Sequence, residues 1–326
     1  MAVASVASPA RSEVAPHRGV ALLGYLGGAL LGVVLLVAVW AKAIDPNAFV
    51  EQIRAEGLEI LLPARAIALL VLALEAALGV ALLVNVRRLP VLVTATALVL
   101  FFLFLTGRNW YRTEQGLVEP GSACGCFGNL VERTPKQAFL SDLLLLAPGL
   151  ALAWIGRPGA ARGLGWRTGA AALAAGGTAL FAWQAPGLPL DDLATRLRPG
   201  VELASICAGK DADRVCLTHL VPDLAEGRHL VVLADVRAES FAGVAEKLNA
   251  YKLAGGDPVP MVLADFTAEE QRTLFWTLAP AFDLHETPAT MMRPLYRSLP
   301  RSFVVEDGRV TETWAGLPPF AAGGPG

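Results

Sequence analysis

The chain has four cysteines, and Cys124 and Cys126 stand one residue apart in the run Cys124-Gly125-Cys126-Phe127-Gly128. Thiols this close can alternate between dithiol and disulfide, an exchange in which a thiolate attacks sulfur and passes through a mixed disulfide. A disulfide needs Cα atoms roughly 4.4–6.8 Å apart. Residues i and i+2 meet that only if the chain bends, and Gly125 permits the bend. The ring so formed is small and strained, which favours a reducible, catalytic or regulatory bond. As a static bridge it would close almost no loop and add little stability. A static bridge, two free thiols or a soft-metal pair are the alternatives to redox exchange. No histidine lies near enough to favour metal, and no metal site is expected.

A second pair, Cys207 and Cys216, encloses a short loop. As a structural bridge it would be worth roughly 2.5–3 kcal/mol in the chain-entropy model. As a redox pair it could exchange with Cys124/Cys126, and the nearby His219 could assist thiolate formation. His17, His229 and His285 show no ligand spacing and read as surface or packing residues. Glu75 interrupts a long apolar run. An ionised carboxylate there costs at least about 2–3 kcal/mol, so it must face the interior, be protonated or find a donor. Such a group is either a proton acceptor or contact for a quinone head, or a protonated carboxyl satisfying a neighbouring helix near Thr94 or Thr96. Lys42, Arg65 and Asp142 fall near the ends of apolar runs. They form either a charged ring beneath the cysteine loop, where a cation lowers a thiol pKa, or simple interfacial anchors.

The elements that must position these groups are membrane spans. At 54% hydrophobic and 17% charged, the chain is too apolar for an ordinary soluble protein. The net charge of −2 favours no nucleic acid, and four cysteines are too few for a disulfide scaffold. A span needs about 20 apolar residues, and Gly19–Ala41, Ala64–Val86, Pro90–Thr106, Gln137–Gly156 and Thr168–Gln184 approach that. The first reads as a signal anchor, because its apolar run is too long for a cleavable signal core. Gly24, Gly28 and Gly32 put small residues on one face of it, a spacing that allows close helix approach.

Sidedness follows from Lys and Arg in short loops. Arg11 and Arg18, then Arg87 and Arg88, then Arg157, Arg162 and Arg167 share one side, expected to be cytoplasmic. The loops carrying Asp45, Glu51, Glu56 and Glu59 and the Cys124/Cys126 pair fall on the other. Five spans would then place the C-terminal region outside. All four cysteines lie on the external face, where disulfides persist. A cysteine relay through the membrane is excluded, so electrons would need a bound cofactor such as a quinone, or another protein.

Beyond about residue 201 the pattern turns to α/β. His229–Asp235 and Val259–Asp265 read as strands and Phe241–Leu253 as a helix. Thr267–Leu278 reads as a second helix, with Thr267 as N-cap and Glu270 completing a capping box. Ser302–Glu306 and Arg309–Trp314 form a hairpin across Asp307-Gly308.

The first four spans, about residues 20–157, resemble the MauE/DoxX-like family of redox-associated membrane proteins. The resemblance rests on Lys42-Ala-Ile-Asp45-Pro46-Asn47-Ala-Phe49, Glu75-Ala-Ala-Leu-Gly79, Cys124-Gly-Cys126-Phe127-Gly128 and Ser141-Asp142. It implies a role in helping an exported partner acquire its correct disulfides; MauE itself is associated with maturation of methylamine dehydrogenase. The C-terminal region resembles a thioredoxin-like, TlpA-type domain. Leu299-Pro300 matches that fold's cis-proline, followed by its strand and turn. Two departures stand out: Val236–Phe241, where the active dithiol would begin a helix, has no cysteine, and the closing helix is missing.

The expected architecture is therefore an all-α membrane bundle, with a four-helix core plus a fifth span, followed by an external α/β thioredoxin-like domain. Residues 1–18 are a cytoplasmic tail, 19–157 the bundle, 158–190 the fifth span and linker, 191–316 the external domain and 317–326 a disordered tail. The expected location is the inner (plasma) membrane, multi-pass, with the C-terminal domain periplasmic. The expected function is thiol–disulfide exchange or electron transfer through Cys124 and Cys126. Cys207 and Cys216 are a second redox or structural pair, and Lys42, Glu75, Asp142 and Pro300 are supporting residues. The expected partners are an exported dithiol or disulfide client, or a thioredoxin-like protein. The competing expectation is a non-catalytic, membrane-anchored maturation factor that binds its client through a domain lacking the usual dithiol.

Overall fold

A computed structural model describes residues 18–117, 134–156, 164–208 and 214–320. The first helices are α1 (Arg18–Ala43), α2 (Pro46–Ala55), α3 (Ala64–Leu83), α4 (Leu89–Glu114), α5 (Pro135–Ile155) and α6 (Leu164–Gln184). Among them α1, α3, α4 and α5 are long and apolar enough to cross a membrane. The α6 helix forms where the fifth span was expected, but it does not join those four by length and composition, because Gly and Thr dilute its apolar run.

Large apolar side chains are displayed on the outside of the bundle. On α1, Leu22, Leu26, Leu30, Val33 and Val37 are exposed, while Leu31, Leu35 and Ala38 on the opposite face are buried. An outward apolar stripe of this extent suits lipid rather than water. Helix α1 packs between α3 and α5. A Cβ on Gly32 would lie 2.7 Å from the carbonyl oxygen of Gly79, and one on Gly24 would lie 2.4 Å from the Cα of Gly156. Any side chain at either place would push the helices apart. Gly28 instead faces the Arg87 side chain, and Gly27, outside the expected stripe, takes the second α5 contact against Gly149.

These contacts define two ends. At one, Arg87 reaches α1 and donates to the Ala21 carbonyl. At the other, Trp40 of α1 stacks on Phe181 of α6, and Arg65 of α3 lies over the Trp183 ring. Helix α4 continues two turns past the expected end at Thr106 and carries Arg108 to Glu56, 2.7 Å away, beside the end of α2. Helix α2 was not expected from the sequence. Asp45 caps it by accepting from the Ala48 N–H, and Pro46 opens it at a position where the absent N–H costs nothing.

After α6 come the one-turn α7 (Asp191–Ala194), a short hairpin of β1 (Cys207–Ala208) and β2 (Val215–Cys216), and α8 (Leu217–Leu220). Then follow β3 (Arg228–Leu233), α9 (Phe241–Leu253), β4 (Pro260–Ala264), α10 (Ala268–Leu278), β5 (Asp283–Glu286), α11 (Ala289–Met292), β6 (Arg301–Glu306) and β7 (Arg309–Ala315). The five-stranded sheet runs β5-β4-β3-β6-β7, parallel across β5-β4-β3 and antiparallel across β3-β6-β7. Alternation splits its side chains between two layers. Val231, Leu233, Phe303 and Val305 face Leu203, Leu217, Leu224 and Leu295. Val232, Ala234, Val262 and Ala264 face Phe241, Val244 and Leu248 of α9.

The expected local signals are present. Thr267 and Glu270 form the reciprocal cap of α10, and Asp307 and Gly308 take positive φ of 47° and 76° in the β6–β7 turn. The Leu299–Pro300 bond is cis and leads directly into β6. Strand β5 was not anticipated, because a four-residue edge strand with charged ends carries no run of β-branched residues. Leu317 and Phe320, assigned by the sequence to a disordered tail, instead pack on the α9 side of the sheet, with the Phe320 ring 4.6 Å from that of Tyr251. Residues 321–326 lie outside the described residues.

The sheet region meets the bundle through arginines. Arg293 pairs with Glu51 of α2 at 2.6 Å. Arg297 donates to the carbonyls of Ala185 and Leu188. Fully buried Arg301 works within the sheet region instead, gathering Thr195, Asp192 and the carbonyls of Leu197 and Leu295.

Candidate functional site

Lys42 and Glu75 meet inside the bundle. Lys42 sits in the last turn of α1, and Glu75 is the one ionisable side chain in α3 beyond its first turn. Their separation is 2.5 Å between Nζ and Oε1, with Lys42 3% exposed and Glu75 0%. A carboxylate buried there without a partner would be expensive, and the ammonium answers it. The partner expected near Thr94 or Thr96 is therefore replaced by Lys42. Thr96 instead donates to the Leu92 carbonyl and accepts from the indole of Trp154. Of Lys42, Arg65 and Asp142, expected as a charged ring or as interfacial anchors, Lys42 turns inward to Glu75 and Arg65 stacks on Trp183, while the cysteine loop the ring would underlie is outside the described residues.

The Lys42 ammonium also faces two aromatic rings, Phe49 of α2 at 5.2 Å and Phe102 of α4 at 4.8 Å. Such contacts favour a cation in an apolar setting. Above it opens a cavity of about 260 Å³. Its walls come from α2 (Phe49, Gln52, Ile53), α3 (Ile67, Val71) and α4 (Phe101, Phe102, Leu105, Thr106), with Glu56 and Leu58 from the α2–α3 connection. The cavity exists because α3 packs mainly on α1 and α6 while α4 packs on α5, leaving α3 and α4 parted at this end. Helix α2 covers the gap, and the Arg108–Glu56 pair ties that cover to α4. Sequence reasoning missed the cavity. A usable signal was present, since Ile67, Val71 and Glu75 recur at four-residue spacing along one face of α3.

Among the described residues, Lys42 Nζ donates one hydrogen bond, to Glu75 Oε1, and Glu75 Oε2 is buried with no hydrogen-bond partner. An ammonium has three N–H donors and a carboxylate has two acceptor oxygens. Lys42, which lines the cavity, thus keeps donor capacity in reserve there, while the spare acceptor of Glu75 is buried behind it. Just outside, burial pushes the Asp45 carboxyl above its usual range, opposed by the Ala48 N–H and the Arg293 and Arg297 cations.

Cys124 and Cys126 lie outside the described residues. Their described flanks are Leu117, after α4, and Thr134, which caps α5 reciprocally with Gln137. Asp142, two turns into α5, is buried and engaged rather than free. Cys207 and Cys216 are joined as a disulfide, opposite one another in the β1–β2 hairpin. Cys216 is buried and caps α8, where its backbone N–H meets His219 Nδ1 at 3.5 Å. Pro300 immediately precedes β6, remote in sequence from the Lys42 pair.

The family model of methylamine utilisation protein MauE matches residues 20–155. That segment runs from α1 to the end of α5 and contains Lys42, Glu75, Cys124, Cys126 and Asp142. No curated protein and no solved structure matches the chain.

Proposed function

With residues 20–155 a MauE-family membrane domain, we propose that the protein exchanges thiols and disulfides for an exported partner, through Cys124 and Cys126. The observation that carries this reading is that one family segment encloses both the Cys-Gly-Cys run and the buried Lys42–Glu75 pair. In the exchange, a client thiolate attacks one sulfur of the Cys124–Cys126 disulfide and forms a mixed disulfide. The second client thiolate resolves it, leaving a client disulfide and two reduced cysteines. Two electrons have then reached the membrane domain. The reverse sequence reduces the client by the same steps.

The region after α6 is read as a thioredoxin-like domain on the external side, with the N-terminus cytoplasmic. Strand order β4-β3-β6-β7, with β6 antiparallel to β3 and a cis proline entering β6, supports the fold. The alternation of basic and acidic loops supports the sidedness. Thiol trapping in membranes tests the function. A mixed disulfide captured by Cys124→Ser or Cys126→Ser alone supports exchange. A pair that stays oxidised with every donor and acceptor, together with full client maturation in the double variant, rules it out.

One observation favours a second reading. The segment Val236–Phe241 before α9 has no cysteine, and Cys207–Cys216 is already closed. In this reading the sheet domain holds the client and the cysteines are redox-passive. Client capture that survives loss of Cys124 and Cys126 is its signature.

A further inference from the structure

We propose that the cavity above Lys42 is a binding site for the head group of a lipid-soluble quinone; this rests on the thiol–disulfide reading, which requires a two-electron acceptor. The cavity measures about 260 Å³. That is just under the roughly 300–1,000 Å³ of pockets that enclose whole drug-sized ligands, so it suits a ring whose tail lies outside. A route for the tail exists beside it. Phe101, on the α4 wall, is 39% exposed and continues onto the outward apolar face carrying Leu100 and Phe104.

The polar groups select the ring. Lys42 spends one of its three donors on Glu75 and holds the rest beside the cavity, among the described residues. An anionic ligand is disfavoured, because Glu75 already balances Lys42 at 2.5 Å. A plain acyl chain is disfavoured too, since it would leave those donors facing hydrocarbon. A neutral carbonyl accepts from the ammonium without adding charge. Phe49 and Phe102 flank the ammonium and offer flat faces to a flat ring, and Gln52 on the wall provides a second polar contact.

The test uses the full chain in lipid nanodiscs free of quinone, with decylubiquinone as the probe and equilibrium dialysis as the readout. Saturable binding near one per chain is expected. Val71→Trp fills the cavity while keeping the ion pair, and should weaken binding at least tenfold. Lys42→Met combined with Glu75→Leu keeps the bulk but removes the donor, and should weaken it roughly tenfold or more, as expected for loss of one charge-assisted hydrogen bond. Photolabelling of the wild-type chain by an azido-quinone avoids dependence on variant folding, and label is expected on peptides spanning Phe49–Glu56 or Phe101–Thr106. Absence of saturable binding, label found only elsewhere, or displacement by decane as effective as by unlabelled quinone would each overturn the proposal. The same binding measured in the Cys124→Ser/Cys126→Ser chain separates the two hypotheses. Quinone bound there, with no thiol exchange in the wild type, leaves this site standing and removes the redox reading.

Discussion

Lys42 and Glu75 lie 33 residues apart in sequence and 2.5 Å apart in space, with Glu75 wholly removed from solvent. The contact joins the end of α1 to the middle of α3 and sets the floor of the cavity that α2 roofs. Both charges are taken out of water, so each is tolerable only because of the other.

Removing one partner should therefore cost more than removing both. Glu75→Leu leaves an ammonium without its counter-charge, for an expected loss of about 3–5 kcal/mol. Lys42→Met with Glu75→Leu should recover most of that, because apolar residues of similar volume often replace a buried pair at little cost. Thermal unfolding of wild type, both single variants and the double variant in one detergent supplies the cycle. A double variant whose loss equals the sum of the singles would show that the pair is not coupled.

Gly32 tests the α1–α3 contact. A Cβ there would stand 2.7 Å from the Gly79 oxygen, whereas nothing lies within 4 Å of one at Gly169. Gly32→Val should cost about 1–3 kcal/mol by overpacking and lower the melting temperature. Gly169→Ala, in the interior of α6, should be neutral or slightly stabilising by helix propensity. Equal melting temperatures for the two variants would remove Gly32 as the contact that sets helix spacing.

Asp45 should make stability depend on pH. Burial raises its folded-state pKa above 3.8, so the folded state holds the proton more tightly than the unfolded chain. Stability should fall as pH rises from about 3.8 through the raised folded value, and then level off. Asp45→Asn keeps an oxygen for the Ala48 N–H and cannot ionise, so it should be as stable at neutral pH or more so, without that slope. Asp45→Ala loses the cap, about 0.5–2 kcal/mol. Unfolding free energies measured between pH 3 and pH 8 check all three; a slope unchanged in Asp45→Asn would assign it to another group.

The Cys207–Cys216 bond closes a span of 9 residues in sequence. Its removal by a paired Ser substitution should destabilise the sheet domain by about 2.5–3 kcal/mol in the chain-entropy model. If the bond is purely structural, trapping of client mixed disulfides at Cys124 or Cys126 should be unaffected once temperature is lowered to restore folding. Loss of trapping under those conditions would make it part of the electron path.

The sequence alone determined the four long apolar helices α1, α3, α4 and α5, because an apolar run near 20 residues has few other ways to satisfy its backbone. It determined α9, the capping box of α10 and the Asp307–Gly308 turn, since caps and turns are set by residues three or four positions apart. It also brought forward Lys42, Glu75 and the cysteine pairs as chemically unusual. Tertiary packing decided the rest. Only the approach of α1 and α3 at Gly32 and Gly79 lets Lys42 answer Glu75, and only the parting of α3 from α4 beneath α2 makes a cavity beside them. The pairing of Cys207 with Cys216 likewise required the β1–β2 hairpin, and β5 required a neighbour to pair with. A charge's partner and a cavity's walls come from different helices, and a spacing rule within one helix carries no information about which helix will face it.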